Sequence, residues 1–474
     1  MRTVTRLGAG ADQLIPLFEA IRADAGVDVS TPDEARREAL DSATELDPPH
    51  VADGRSDATD LPFVTVDPPG SRDLDQAVHI ERMRAGHRVR YAIADVGAHV
   101  VPGGALDRLA HARGVTIYCP DTRVSLHPRE MSEAHASLLP GQRTKAVVWT
   151  FDVLADGSIG GVALERAWVR SRRQYAYREL ASSTDAESRD LVARLAEVGQ
   201  ARRRMVRSQG GVTLPKPSQE VVPVGDRFVL RLEAGRPLED DNAQVSLATG
   251  MVGASLMIAG GAGVLRTMPA ADAGAVTRLR AQAGALGVRW RKGQDYSDVL
   301  ESLDHGAPET AAFLDAATVL FRGADWSAFD LAHDGAALPD PVTHGALGAP
   351  YSHVTAPLRR LVDRYAAEAA LASARGREVP AWARAGLAAA ADDTAAGSRR
   401  AGDVERRCVH AVESAVLRTR VGETFEGVGL DDRTVQLVDP PVVARCEGDV
   451  QPGVLQRVRL VSAAPPDPPR FVTD

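Results

Sequence analysis

Asp67, Asp73 and Asp75 lie within one short stretch, Val64-Thr65-Val66-Asp67-Pro68-Pro69-Gly70-Ser71-Arg72-Asp73-Leu74-Asp75-Gln76, and this stretch restricts the fold more than any other. Its first residues are β-branched and read as a strand, and a second apolar run begins after Asp75. Fully extended, the chain from Asp67 to Asp73 would span on the order of 20 Å. Pro-Pro-Gly-Ser is turn chemistry, so the chain folds back and the carboxylates approach one another. Asp73 and Asp75 point the same way wherever that backbone is extended. Three carboxylates in a small volume take up protons unless a cation sits among them. Hard oxygen donors at this density suit Mg²⁺ or Mn²⁺, and phosphoryl chemistry is the usual use of such a site. The opposing reading is local: Asp and Gly gather in turns to hydrogen-bond the backbone, and most such loops bind nothing.

A second constellation is Tyr351-Ser352-His353-Val354-Thr355-Ala356-Pro357-Leu358-Arg359-Arg360-Leu361-Val362-Asp363-Arg364. Thr355 is a fit N-cap for a helix with Pro357 in its first turn. Arg359 and Arg360 then stand near a helix N-terminus, a place suited to clamping an anion. The structural alternative pairs them with Asp363 or with solvent.

At 474 residues the chain exceeds one compact unit, and a prior of roughly 100–200 residues per domain suggests about three. The predicted division is a small helical segment and linker over 1–60, a catalytic domain over 61–415 and a small β unit over 416–474. In the first unit Leu14, Leu17, Phe18 and Ile21 share a helical face. Ser30-Thr31-Pro32-Asp33-Glu34 opens a further helix, and Asp47–Asp60 reads as a linker. A nucleic-acid-reading helical module is one reading of this unit, although its charges are balanced. Strands are predicted at Phe63–Val66, Ala77–Ile80, Val89–Ala94 and Val147–Val153. Residues 160–210 read as helical and basic, with eleven Arg against six Asp and Glu. A solvated helix face and a channel for a polyanion are the two readings of that concentration. Residues 240–400 are Ala-rich and helical, with a loop at Pro339–Pro350. Short runs at Thr424–Val428, Thr434–Val438, Val442–Cys446 and Leu455–Val461 suit an OB-like barrel, with Ala464–Pro469 in a tail.

The net charge of −8 excludes a surface that coats nucleic acid as a whole, though not a local basic path. Three widely spaced cysteines, Cys119, Cys408 and Cys446, exclude a disulfide framework and a zinc knuckle, and Cys119 reads as a packed small residue. No run reaches about 18 apolar residues, and the start lacks the apolar stretch of a secretion signal. The expectation is a cytoplasmic protein with no membrane partner.

Taken together, the two constellations resemble the catalytic domain of the ribonuclease II / ribonuclease R (RNB) family of 3′→5′ exoribonucleases. DPPGSRDLDQAVHIER is similar to the family's aspartate motif, and YAIADVGAHV (Tyr91–Val100) to the strand and turn that follow it. GVTIYCPDTRVSLHPREMSEAHASLLPG (Gly114–Gly141), RSQGGVTL (Arg207–Leu214) and YSHVTAPLRRLVDR resemble further family motifs, in family order. The resemblance implies an α+β, RNB-type catalytic domain of mixed sheets packed with helices. A small helical segment precedes it and an OB-like barrel follows. It also implies hydrolysis of single-stranded RNA from the 3′ end, yielding nucleoside 5′-monophosphates with Mg²⁺ or Mn²⁺. Carried over residue by residue, Asp67, Asp73 and Asp75 become metal or water-positioning carboxylates. Arg359 becomes the group that stabilises charge on the scissile phosphate, and Tyr118 lies against the 3′-terminal nucleotide. Arg360, Arg207 and Arg172 are further candidates for RNA contact.

The chain departs from the family pattern in places. Adjacent aspartates usually end the aspartate motif; here Gln76 follows Asp75, and its carbonyl is a neutral candidate ligand. A carboxylate restored at 76 is therefore expected to raise activity. Gln244 or Ser246, in AQVSLATG, falls where the family carries a glutamate, and Leu361 falls where it carries a tyrosine. No preceding cold-shock barrel fits into 60 residues, and the C-terminal unit offers only Phe425 and Phe471 for stacking. Three functions follow: an active exoribonuclease, an RNB-like RNA-binding protein that has lost its chemistry, and a phosphohydrolase acting on small or DNA substrates.

Overall fold

The computed structural model describes residues 4–474 apart from 52–53, 213, 215–217, 234–235, 305–306 and 333–335. The chain opens with β1 (Val4–Gly10), α1 (Ala11–Asp24) and α2 (Asp33–Asp41). There follow β2 (Ser56–Asp57), β3 (Val64–Asp67), β4 (Gln76–Met83), β5 (Gly86–Ala94) and α3 (Ala105–Arg113). A short hairpin, β6 (Ile117–Tyr118) and β7 (Arg123–Val124), precedes β8 (Arg143–Leu154), β9 (Ile159–Arg170) and β10 (Arg173–Ala176). Next come α4 (Tyr177–Ser182), α5 (Ala186–Ser208), β11 (Ser218–Val224), β12 (Arg227–Glu233), α6 (Pro237–Gly260) and β13 (Ala262–Thr267). Helices α7 (Ala273–Ala285), α8 (Tyr296–Glu301) and α9 (Pro308–Ala317) lead to β14 (Asp325–Asp330), α10 (Leu361–Ala374) and α11 (Ala381–Leu417). The last strands are β15 (Thr424–Gly429), β16 (Thr434–Leu437), β17 (Val443–Glu447), β18 (Leu455–Ser462) and β19 (Arg470–Thr473).

The centre is a seven-stranded sheet in the order β10-β3-β4-β5-β8-β9-β2. Strand alternation divides its side chains between two cores. Along β8, Val147, Trp149, Phe151 and Val153 face α5, α6, α10 and α11, whereas Ala146 and Val148 face Leu106, Met131 and Leu138. Each fully buried large side chain contributes roughly 1.5–3 kcal/mol, so these layers hold the sheet. Helix α6 is long and apolar enough by composition to cross a membrane, but it packs against α5 and α10 inside the protein. Gly250 on α6 has a structural reason: a Cβ there would run into the Tyr351 ring and the Ser352 carbonyl. Its absence lets the 351–360 loop lie directly on the helix.

The fold is α+β with a closed five-stranded barrel at the C-terminus, as expected. Several sequence expectations need correction. The first unit is not purely helical, because β1 pairs with β12 in a separate three-stranded sheet. The Asp47–Asp60 segment is tied down: β2 pairs with β9, and buried Arg55 bridges Asp47 and Asp95 at 2.8 and 2.7 Å. Residues 159–170 form a strand where a helix was predicted. Thr355 caps no helix; α10 starts at Leu361, and Asp363 reaches back to accept from the Ala356 N–H at 2.7 Å. Ala464–Pro469 is no tail but leads into β19, which closes the barrel between β17 and β18. Thr213, within the RSQGGVTL motif, lies outside the described residues.

Candidate active site

The aspartate loop connects β3 to β4, and its bend is clamped from outside. The Ser137 hydroxyl donates to the Arg72 carbonyl at 2.6 Å and accepts from the Leu74 N–H at 2.9 Å. Gln174 donates to the Ser71 carbonyl at 2.9 Å, and the Leu138 N–H donates to the Leu74 carbonyl at 3.0 Å. With the backbone held this way, the carboxylates keep fixed directions without ordering cost at the moment of binding.

Asp75 is the inner member, buried to 2% exposure. Its Oδ1 accepts from the Leu358 N–H at 2.8 Å and its Oδ2 from Arg359 Nε at 3.1 Å, which joins the two sequence constellations. Burial nevertheless pushes its carboxyl up to about 7, outweighing the opposing pull of Arg359. Asp67 ends β3 with Oδ2 buried and without a hydrogen-bond partner. Burial raises it to about 6, Arg359 and the nearby Thr65 hydroxyl oppose that, and Asp73 adds to it. Asp73 Oδ1 accepts from Arg123 Nη1 at 2.7 Å, and Arg123 Nη2 donates to Glu133 at 2.5 Å. Among the described residues, no three His, Cys, Asp or Glu side chains form a group that would hold a metal ion. The carboxylates are neighbours, but Asp73 and Asp75 already have arginine partners.

The metal-ligand reading of Gln76 does not fit. Its Nε2 donates to the Thr355 carbonyl at 2.7 Å, and its Oε1 accepts from Ser246 at 3.3 Å and from the Tyr91 hydroxyl. Both ends of the amide are therefore occupied by protein, and Ser246, not Gln244, reaches it.

Arg359 keeps 44% of its side chain exposed while Asp75 holds its Nε, so the guanidinium faces solvent from a fixed base. The Thr116 N–H donates to its carbonyl at 2.9 Å, tying this loop to the segment that leads into the β6–β7 hairpin. On that hairpin Tyr118 is 51% exposed, and its hydroxyl is raised by burial and by the Asp73 charge, with Arg359 opposing. Arg360 is engaged differently from the prediction: Asp363 takes its guanidinium at 2.9 and 2.8 Å, so it closes the turn. Arg172 donates to the Thr59 and Asp60 carbonyls at 3.0 and 3.2 Å, and Arg207 lies on the exposed last turn of α5. Six predicted residues thus converge: Asp67, Asp73, Asp75, Gln76, Tyr118 and Arg359.

Sequence reasoning missed Arg123 and Tyr91. Arg123 pairs with Tyr118 across the tight hairpin, a register visible only once CPDT is recognised as the turn. Tyr91 had no local signal, because its neighbours Gln76 and Ser246 come from distant segments.

Comparison with known proteins follows the same lines. The RNB domain family matches residues 55–370, and the RNase II-type exonuclease C-terminal S1 domain matches residues 423–469. Exoribonuclease 2 of Photorhabdus laumondii is 38% identical over 128 residues, 27% of this chain and 20% of its own length. Ribonuclease R of Acidithiobacillus ferrooxidans is 35% identical over 160 residues, 33% of this chain and 36% of its own length. The chain therefore aligns with well under half of each of these relatives. A structure of Mycoplasma genitalium RNase R in complex with ribose-methylated single-stranded RNA shares the fold at a TM-score of 0.84 and 18% identity, covering 98% of this chain and 78% of that one.

Proposed function

Since the chain belongs to the RNB-domain family, we propose that it is a divalent-metal-dependent 3′→5′ exoribonuclease that degrades single-stranded RNA to nucleoside 5′-monophosphates. The observation that carries this reading is the Asp75–Arg359 clamp, set beside the unpartnered buried oxygen of Asp67. A buried carboxylate oxygen without a donor is costly unless a proton or cation meets it. Asp67, with Asp73 beside it, is the pair assigned to hold Mg²⁺ or Mn²⁺. A bound divalent ion polarises the phosphoryl group and lowers the pKa of a water.

The chain's own groups supply the positioning. Tyr118, half exposed on its hairpin, offers a ring for the terminal base to stack on. Arg359 is aimed by Asp75 and takes up the charge that develops on the equatorial phosphoryl oxygens. Water oxygen joins phosphorus and gives up a proton, the bond to the preceding 3′ oxygen breaks and that oxygen takes up a proton, and the released nucleotide keeps its 5′ phosphate. Gln76 supports a second reading, an RNA-binding protein without chemistry, because its amide is already occupied.

A 5′-labelled single-stranded RNA separates the two. With Mn²⁺ or Mg²⁺ present, the wild-type chain is expected to produce a ladder shortening from the 3′ end, with DNA left intact. Asp75→Asn should abolish the ladder while retaining RNA binding. RNA bound but not shortened in either metal would establish the second reading instead.

A further inference from the structure

The cysteines that stand far apart in the sequence do not all stand apart in space. Cys119 follows Tyr118 at the turn of the β6–β7 hairpin, and Cys408 lies on α11, which packs against β6. Both line one cavity of about 170 Å³, together with Tyr118, Gln219 and Glu405. Cys119 is half-buried and open to this cavity, whereas Cys408 is 1% exposed behind it. The two thiols are near enough to act on each other's ionisation.

A cation completes the group. Arg22 of α1 is held by Asp121 in the hairpin turn, at 2.6 and 2.9 Å, and its guanidinium also faces the Cys119 sulfur. The Cys408 contact and Arg22 hold Cys119 below the ordinary thiol range, while Cys408 is pushed up by its partner and by burial. A thiolate beside a cation, open to solvent, with a second thiol against it, is the arrangement of an attacking and a resolving cysteine. Cys446 is buried in the barrel against the Glu447 carbonyl, and burial and the Glu447 charge push its thiol up to about 11.

We propose that Cys119 and Cys408 form a reversible disulfide under peroxide, tying the Tyr118 hairpin to α11. The Cys119 thiolate attacks the peroxide: a sulfur–oxygen bond forms, the oxygen–oxygen bond breaks, and the departing hydroxide takes a proton and leaves as water. Sulfur is oxidised by two electrons to sulfenic acid, and the peroxide is reduced. The Cys408 sulfur then attacks Cys119; the disulfide forms, the sulfur–oxygen bond breaks, and hydroxide leaves as water with the Cys408 proton. A dithiol reverses the link. The effect on activity rests on the exoribonuclease reading: a tethered hairpin no longer lets Tyr118 adjust to each new RNA end, so trimming slows.

The test treats the reduced full chain with hydrogen peroxide and maps its peptides by mass. A Cys119–Cys408 linked peptide is expected, removed by dithiothreitol, retained in Cys446→Ser and absent from Cys408→Ser. In Cys408→Ser, Cys119 should instead be trapped by dimedone as the sulfenic acid, with folding confirmed by an unchanged melting temperature. No linked peptide, or one through Cys446, overturns the proposal. RNA shortening is measured on the same samples, and a several-fold loss restored by dithiothreitol is expected in wild type and Cys446→Ser and not in Cys408→Ser. A linked peptide with unchanged trimming overturns the control of activity. If the reduced protein trims no RNA, the exoribonuclease reading fails while the disulfide is still decided by mass.

Discussion

Gln76 joins three segments through one amide: Thr355 on the Arg359 loop, Tyr91 on β5 and Ser246 on α6. The amide ties the segment that carries Arg359 to β5 and α6, so a carboxylate at this position is expected to have the opposite effect to the one its place in the motif suggests. Gln76→Asp removes the donor that meets the Thr355 carbonyl and shortens the side chain. A buried acceptor left unmet costs roughly 1–3 kcal/mol. The expected result is a lower melting temperature with no tighter Mn²⁺ binding by calorimetry; tighter binding at unchanged stability would return Gln76 to the ligand set. Arg359→Ala should lower the trimming rate by about 10²–10³-fold, the usual loss for one preorganised charge-stabilising donor, while RNA affinity changes little. Asp67 and Asp75 set the pH behaviour. Their carboxyls, raised to about 6 and about 7 from 3.8, bind more protons folded than unfolded. Their contribution to stability is full below the unfolded value and is lost as pH rises through the folded ones. A cation acts in the opposite sense because it needs the carboxylate, so Mn²⁺ should raise the melting temperature more at pH 8 than at pH 5. Asp67→Asn should remove that increment, and an increment equal at both pH values would argue against the site.

At the scale of elements, the N-terminal unit acts as a buttress. Helix α1 packs on α11 and sends Arg22 into the turn of the β6–β7 hairpin, where Asp121 receives it in two hydrogen bonds. Two-residue strands cannot hold a hairpin alone, so its position depends on this contact. Arg22→Ala should speed amide exchange in residues 117–124 and leave the central sheet unchanged; equal protection would show that β6 and α11 suffice. The same contrast of local and distant cause explains what the sequence disclosed. The aspartate turn and the first four barrel strands were legible because their signals are local: Pro-Pro-Gly, period-two alternation and turn residues. Strand β9 was not legible, because GVALERAWVR carries charges at inward positions. Arg166 is buried there only because Asp95 and Glu368 arrive from elsewhere to meet it. Asp363 likewise displaced Thr355 as the organiser of the α10 start, through a bond no propensity scale contains.

For the whole molecule, the proposed function poses the question of where a chain of net charge −8 would meet a polyanion. Within the arginine-rich stretch from 166 to 207, several cations are already engaged by the protein. Arg173 pairs with Glu179, Arg194 with Asp190 and Arg203 with Asp241, and Arg202 is buried against the Gly157 carbonyl. The barrel offers another place. Its phenylalanines are no stacking platform, since Phe425 and Phe471 pack edge to face in its core. On its outside, β17 and β19 run parallel with Arg445 directly beside Arg470, both exposed. Like charges in register repel unless an anion lies between them. Together with Arg433, which lies 3.8 Å from Asp432, they line a cavity of about 500 Å³ that Glu447 and Asp449 also line. Under the proposed function, a phosphate backbone passing there would meet Arg445 and Arg470 side by side, with Glu447 and Asp449 beside them. Replacing Arg433, Arg445 and Arg470 by Ala should weaken single-stranded RNA binding and flatten its salt dependence. The slope of log K against log salt is expected to fall by about 0.7 for each phosphate that is no longer neutralised. Trimming of short RNA at saturation should persist, because Arg359 and the aspartates are untouched. A salt slope equal to that of wild type would move the RNA path off the barrel and back to the surface of α5.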